Sequence, residues 1–337
     1  MDAIVLAGGF ATRLWPITRN RPKMFLPIGE TTVIDRIFRE LEDDDRIDDV
    51  YVSTNEEFAD VFRTHLEESP FEKPQLSVEE AREEDEKFGV VGALGELVKR
   101  ESIDSDTLVI AGDNLISFSL SEFIDSFKDN GATTIAAYDV GSLERATQYG
   151  VIDVEGDRVV DFEEKPDDPP STLVSIACYA FPAEAIGLFE TYLSGENNPD
   201  EPGWFIQWLL ERSPVYAYSF EGAWFDIGTP DAYLDTVEWY LDDGTLVHPD
   251  ATVENSDLGQ NVHVMEGAEV IDASLERAVV FPNARIKDCR IYSSIIDENT
   301  ELEEVNLSEA QIGAHTSLAQ SQAPPAKWVW EQNRDSE

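Results

Sequence analysis

The chain has 337 residues, of which 42% are hydrophobic and 10% aromatic, enough to fill a packed core and to build more than one domain. Its 70 Asp and Glu against 24 Lys and Arg give a formal net charge of −46, which excludes nucleic acid and anionic membranes as partners. The acidic residues are spread along the chain, so the charge reads as an acidic surface adapted to molar salt in preference to an extended cation-binding surface.

The first element is Ala3-Ile4-Val5-Leu6-Ala7-Gly8-Gly9, an apolar run that stops at two glycines. It reads as a buried strand feeding a loop whose backbone N–H groups approach an anion closely. Arg13 and Lys23 follow, and two basic residues so near a glycine loop in so acidic a chain point to a polyphosphate site. The spacing is neither GxxxxGK[ST] nor GxGxxG. A tight βα turn with a surface arginine and lysine is the plainer alternative.

Strand-like runs then alternate with helical patterns as far as Tyr240. Val50–Thr54 precedes a helix from Glu56 to about Leu66, and Thr107–Ala111 precedes a helix around Ser121–Lys128. Thr133–Asp139, Val151–Val154, Val159–Glu163 and Val215–Phe220 add strands, while Trp204–Leu210 reads as a buried helix with its aromatics in the core. This alternation predicts a mostly parallel sheet with helices on both faces, and ligands of such sheets bind at the carboxyl ends of the strands. The acidic runs 42–45 and 83–86 read as solvated surface. In Ala111-Gly112-Asp113-Asn114, a carboxylate at a strand end is suited to a hard cation such as Mg²⁺, or else to an Asp-Asn turn. Lys165, between Glu164 and Pro166, reads by itself as a surface ion pair, and Asp226, ahead of Thr229-Pro230, as a helix-start contact.

From Thr252 the rhythm changes. Val253, Leu258, Val264, Val270, Leu275 and Val280 begin a series of aliphatic residues at intervals of five or six that continues to Leu318. One buried side chain per short flat side followed by a turn makes a three-sided coil. The remaining stretch, 320–337, is a polar tail with Trp328 and Trp330, which point to docking. Cys178 and Cys289 form no Cys-x-x-Cys pair and read as inert core. The apolar run after Met1-Asp2 is too short for a signal peptide and no run reaches membrane-spanning length, which points to the cytoplasm.

Leu6 to Pro27, LAGGFATRLWPITRNRPKMFLP, resembles the signature LAGGxGTRLxPxTxxxPKxLxP of the sugar-1-phosphate nucleotidylyltransferases, departing from it at Ala11 and Phe25. The Gly112-Asp113-Asn114 form, the pair Tyr149-Gly150 and Phe162–Pro166, and Trp224–Pro230 resemble the family's GD, YG...F.EKP and W.DIGTP motifs. The resemblance implies a Rossmann-like, doubly wound mixed α/β sheet over residues 1–243, the nucleotide-diphospho-sugar transferase fold. It also implies a short left-handed parallel β-helix over 244–319, since the repeat resembles hexapeptide coils at Leu258-Gly259 and Ile312-Gly313.

The implied reaction joins a nucleoside triphosphate to a sugar 1-phosphate and releases pyrophosphate. Glucose-1-phosphate thymidylyl- or uridylyltransferase fits the Gly-Asp-Asn form best. Mannose-1-phosphate guanylyltransferase and a non-catalytic subunit of the same fold are the alternatives. By resemblance, the nucleotide falls to Leu6, Ala7, Gly8, Gly9, Arg13, Lys23, Glu79 (or Glu80), Gly89 and Asp113, with Arg13 and Lys23 catalytic. The sugar phosphate falls to Gly150, Glu164, Lys165 and Ser175, and Mg²⁺ to Asp113 and Asp226. Ser175 and Ala177 depart from the family's N[AT]GIYxF. Relatives with longer coils use a histidine for acyl transfer, but His263 and His315 read as structural, and the coil as a surface for packing or homo-oligomer assembly.

Overall fold

The computed structural model describes residues 1–9, 11–79 and 89–319. Phe10, Glu80, Phe88, the acidic run 83–86 and the tail 320–337 with its two tryptophans lie outside the described residues. The described residues divide into two compact units, one of 1–14 with 18–236 and one of 15–17 with 237–319.

Strands of the first unit are β1 (Asp2–Leu6), β2 (Pro27–Ile28), β3 (Thr31–Thr32), β4 (Val50–Thr54), β5 (Pro74–Val78), β6 (Thr107–Ala111) and β7 (Asn114–Ile116). They continue with β8 (Thr133–Asp139), β9 (Gly150–Glu155), β10 (Arg158–Glu164), β11 (Leu173–Phe181), β12 (Val215–Ser219) and β13 (Trp224–Asp226). The helices are α1 (Val33–Asp43), α2 (Glu56–Glu68), α3 (Val90–Arg100), α4 (Leu120–Asn130), α5 (Leu143–Ala146), α6 (Ala183–Ile186), α7 (Leu188–Ser194), α8 (Pro202–Leu210) and α9 (Pro230–Leu241). Local chemistry sets their ends: the Thr32 and Asn55 side chains accept from the third backbone N–H of α1 and α2, and Gly131 closes α4 in a left-handed conformation.

Nine strands form one sheet in the order β5-β4-β1-β6-β11-β8-β12-β10-β9. Side chains alternate across it, so Ala3 and Val5 of β1 enter one core with α1, α2 and α4, while Ile4 enters the other with α3, α7 and α8. Helices thus cover both faces. The sheet is mixed, not mostly parallel: β5, β4, β1 and β6 run parallel, but β11 is antiparallel to β6, β8 and β9. The reason lies in the connections, since no helix stands between β9, β10 and β11 to carry the chain back for a parallel return. β4 and β5 lie on one side of β1 and β6 on the other, so the chain reverses its direction across the sheet there, and the loops after β1 and β6 meet at their carboxyl ends.

In the second unit, parallel strands wind a coil around a core of Val264, Val270, Leu275, Val280, Ile286, Ile291, Ile296 and Leu302. Val253, Val270, Ile286, Leu302 and Leu318 stand in one ladder, first 17 and then 16 residues apart. The first turn therefore takes one five-residue and two six-residue steps and the later ones two five-residue steps and one six-residue step, which is the mixture of intervals in the sequence. Left-handed backbone marks the corners, as at Asn261, Arg277, Ser293 and Glu309 and again at Asn283, Asn299 and His315. His315 is thus a corner residue. His263 is buried, and burial pushes its imidazole down to about 4. Both cysteines are free and buried, and burial pushes the Cys178 thiol up.

Candidate active site

The glycine loop is held from β4. Ala7 N donates to Ser53 O (2.7 Å), Thr54 Oγ1 to Ala7 O (3.2 Å) and Asn55 Nδ2 to Gly8 O (2.9 Å), while Asn55 Oδ1 receives Phe58 N at the start of α2. Glu79 lies against this loop, accepting from Ser53 Oγ (3.0 Å) and standing 3.4 Å from where a Gly8 Cβ would be. A Cβ on Gly9 would meet none of the described atoms within 4 Å, so the loop is open on that side. Ala11 takes a left-handed φ of 47°, which accounts for the glycine in the signature: the conformation, more than crowding by the methyl, is what Ala11 opposes.

Asp113 and Asp226, 113 positions apart in sequence, are brought together by a small antiparallel ribbon. β13 pairs with β7 so that Asp226 stands opposite Asn114, and Ile227 N donates to Asp113 O (3.2 Å). Lys23, in a 3₁₀ turn after Pro22, forms an ion pair with Asp113. Both side chains are largely buried, 15% and 13% exposed, so the pair is little screened by water. Burial and the neighbouring Asp113 push Asp226 up, and Lys23 and Arg13 oppose this. The Arg13 guanidinium lies over Gly228, 3.0 Å from where a Cβ would be, a space closed to any larger residue without displacing it. Asn114 has a structural part, receiving Trp224 Nε1 (3.3 Å) and donating to Ala177 O (3.4 Å).

A second group forms across three strands. Gly150 at the start of β9 stands opposite both Glu164 of β10 and Ser175 of β11. A Cβ on Gly150 would lie 2.3 Å from the Phe162 ring and 3.0 Å from Glu164 Oε2, so glycine is required there. The Ser175 Oγ is buried beside the Tyr179 hydroxyl, with no hydrogen bond of good geometry to a described residue. Lys165 is left-handed (φ 49°) and its N–H donates to Tyr149 O (3.1 Å). Tyr149 connects the two groups, since its ring meets Trp224 edge-on at 4.9 Å and its hydroxyl is pushed up by burial and by Asp226.

Burial, and then the Glu201 carboxylate, push Glu164 up to about 7, with Lys165 pulling the other way. The folded chain holds this proton more tightly than the unfolded chain, so the carboxyl's contribution to stability falls as pH rises from about 4.5 to about 7. Glu164→Gln is expected to leave stability at pH 5 nearly unchanged and to raise it at pH 8 by on the order of 2 kcal/mol, read from urea unfolding. An equal effect at both pH values contradicts this.

Gly89 precedes the first turn of α3. Its missing side chain is needed where the start of α3 crosses residues 199–200, since a Cβ would lie 2.2 Å from Asp200 Cα. Three residues were not singled out in the sequence: Asn55, whose signal is a capping residue directly after a strand; Glu201, which precedes Pro202 at the start of α8; and Gly203. Among the described residues no three acidic, histidine or cysteine side chains cluster as a metal site. Two carboxylates nevertheless suit Mg²⁺, which keeps waters and substrate phosphates in its remaining positions, and the mutual repulsion of Asp113 and Asp226 is the charge that a cation relieves.

Residues 2–243 match the family model described as nucleotidyl transferase, and the chain belongs to that family. A protein of Sulfolobus acidocaldarius assigned as a mannose-1-phosphate guanyltransferase is 28% identical over 235 residues, covering 69% of this chain and 61% of that protein. The bifunctional protein GlmU of Methanocaldococcus jannaschii is 28% identical over 272 residues, covering 80% of this chain and 61% of GlmU. The glucose-1-phosphate adenylyltransferase of Mycoplasma mobile is 28% identical over 319 residues, 85% of this chain and 82% of that enzyme. The chain spans about three-fifths of the length of the first two relatives. A crystal structure of a Bacillus anthracis protein assigned as a glucose-1-phosphate thymidylyltransferase, in complex with sucrose, covers 70% of this chain and 94% of its own with a TM-score of 0.59 at 23% identity, a likeness of fold.

Proposed function

We propose that the chain transfers a nucleotidyl group from a nucleoside triphosphate to a sugar 1-phosphate, releasing pyrophosphate. The observation that carries this is the buried Lys23–Asp113 ion pair beside Asp226, at the strand ends next to an open glycine loop. A phosphate oxygen of the sugar phosphate attacks the α-phosphorus, and the bond to the β-phosphate oxygen breaks. The attacking phosphate is already ionised near neutral pH, so no general base is needed and alignment with charge neutralisation does the work.

The loop N–H groups of 7–9 and Arg13 bind the triphosphate, and Lys23 offsets charge developing on it. Glu79, which lies against the glycine loop, reads the base edge, and Gly89 contributes by letting α3 start close to the chain at 199–200. Lys165 anchors the sugar phosphate, while Glu164, Ser175 and the Gly150 backbone take sugar hydroxyls, and the placement of Gly150 opposite both Glu164 and Ser175 supports this part. Asp113 and Asp226 would hold Mg²⁺, whose chemistry is to neutralise phosphate oxygens. The Gly-Asp-Asn sequence favours a thymidylyl- or uridylyltransferase acting on glucose 1-phosphate, whereas the name of the Sulfolobus relative favours a guanylyltransferase acting on mannose 1-phosphate.

We take the chain to be a cytoplasmic, salt-adapted protein that assembles through a left-handed coil. Its charge supports the salt adaptation, and among the described residues no helix is long and apolar enough to cross a membrane. Pyrophosphate release in about 2 M KCl, testing each of five nucleoside triphosphates against glucose 1-phosphate and mannose 1-phosphate, names both substrates. Release that does not depend on the sugar phosphate overturns the transfer.

A further inference from the structure

The segment Glu201-Pro202-Gly203 that opens α8 has no part in the mechanism above, yet it touches both charged groups of the sugar-phosphate side. A Cβ on Gly203 would lie 1.7 Å from Glu164 Oε2, so this glycine leaves the notch in which the Glu164 carboxylate sits. Glu164 is only 8% exposed there. The Glu201 carboxylate, two residues earlier, forms an ion pair with Lys165, whose ammonium is also 4.0 Å from Glu164. The Lys165 backbone is fixed, left-handed and tied to Tyr149 O, while its side chain is 45% exposed and free to exchange one anion for another.

From this juxtaposition we infer that Glu201 is a positioning residue, the counter-ion that aims Lys165 beside Glu164 and gives it up to the phosphate of the incoming sugar phosphate. The phosphate as its ligand rests on the function proposed above. A counter-ion at this place has a chemical use. The free sugar phosphate is a dianion near neutral pH and displaces a single carboxylate. Once joined to the nucleotide, the same phosphate carries one charge, so Glu201 recovers Lys165 more readily and favours release of the product. Two further titratable groups face the exchange: Glu164 faces Glu201 from the end of β10, and the Tyr179 hydroxyl of β11 is kept neutral by burial and then by Glu164.

Glu201→Gln and Glu201→Asp in the full chain test the role. By calorimetry in about 2 M KCl, Glu201→Gln is expected to bind glucose 1-phosphate, mannose 1-phosphate and inorganic phosphate at least threefold more tightly than the parent, whereas Glu201→Asp restores the parent's affinity. The ¹³C NMR signal of the Glu164 carboxyl, identified by its loss in Glu164→Gln, is expected to titrate at least half a pH unit lower in Glu201→Gln. Unchanged or weaker phosphate binding in Glu201→Gln overturns the counter-ion role, as does an unmoved Glu164 titration or a parent that binds none of the three phosphates. A parent that binds phosphate with this dependence on Glu201 but releases no pyrophosphate from any substrate pair overturns the transfer reaction and leaves the ion exchange standing.

Discussion

Lys23→Ala is expected to lower kcat by about a hundredfold or more, the loss of on the order of 3 kcal/mol that removal of one preorganised charged donor typically costs. The geometry makes Lys23 more than a surface cation. Its ammonium and Asp113 are mostly shielded from water, and Asp226 is crowded enough by burial and by Asp113 to be pushed up. Without Lys23, Asp113 and Asp226 face the incoming triphosphate with one of the two cations that oppose the rise of Asp226 removed. Steady-state kinetics in high salt, with circular dichroism to show that the variant is folded, checks the expectation. A variant within threefold of the parent removes Lys23 from the mechanism.

The second large effect is that of salt. A net charge of −46 on 337 residues opposes the compact state by self-repulsion, and screening lengths fall from about 10 Å at 0.1 M to about 3 Å at 1 M ionic strength. The melting temperature is expected to rise by at least about 10 °C between 0.1 and 3 M KCl, since exposed like charges then no longer act on each other across the surface. Differential scanning calorimetry at a series of KCl concentrations reads this. A melting temperature independent of KCl shows that the acidic surface has another use.

Where chemistry and local chain coincide, the site was legible in the sequence. The strand before Gly8, the lysine after Pro22 and the aspartates after Gly112 and before Ile227 all lie where a reader of short stretches looks. What brings Asp113 to Asp226 was not legible, because the ribbon of β7 and β13 is a long-range pairing of two three-residue strands with no periodicity of their own. The direction of β11 had a signal in the missing helix between β9 and β11, but the alternation of apolar and polar residues is the same in parallel and antiparallel strands. Glu201 and Gly203 were hidden for a different reason. Their importance lies in what they leave room for and whom they face, and neither a notch at Gly203 nor an ion pair to Lys165, 36 residues away, has a signature in spacing. In the coil, the mixed intervals of five and six were visible, while the left-handed corners were not, since residues as different as Arg277, Ser293 and His315 occupy them.

The central claim is that the carboxylates brought together by β7 and β13 serve nucleotidyl transfer to a sugar phosphate. Its most direct test is sugar-phosphate-dependent pyrophosphate release by the parent chain and by Asp113→Asn, measured with Mg²⁺ in about 2 M KCl on the substrate pair the parent prefers. The expected result is release by the parent and a loss of about a hundredfold or more in a folded Asp113→Asn. Release by Asp113→Asn within threefold of the parent contradicts the account.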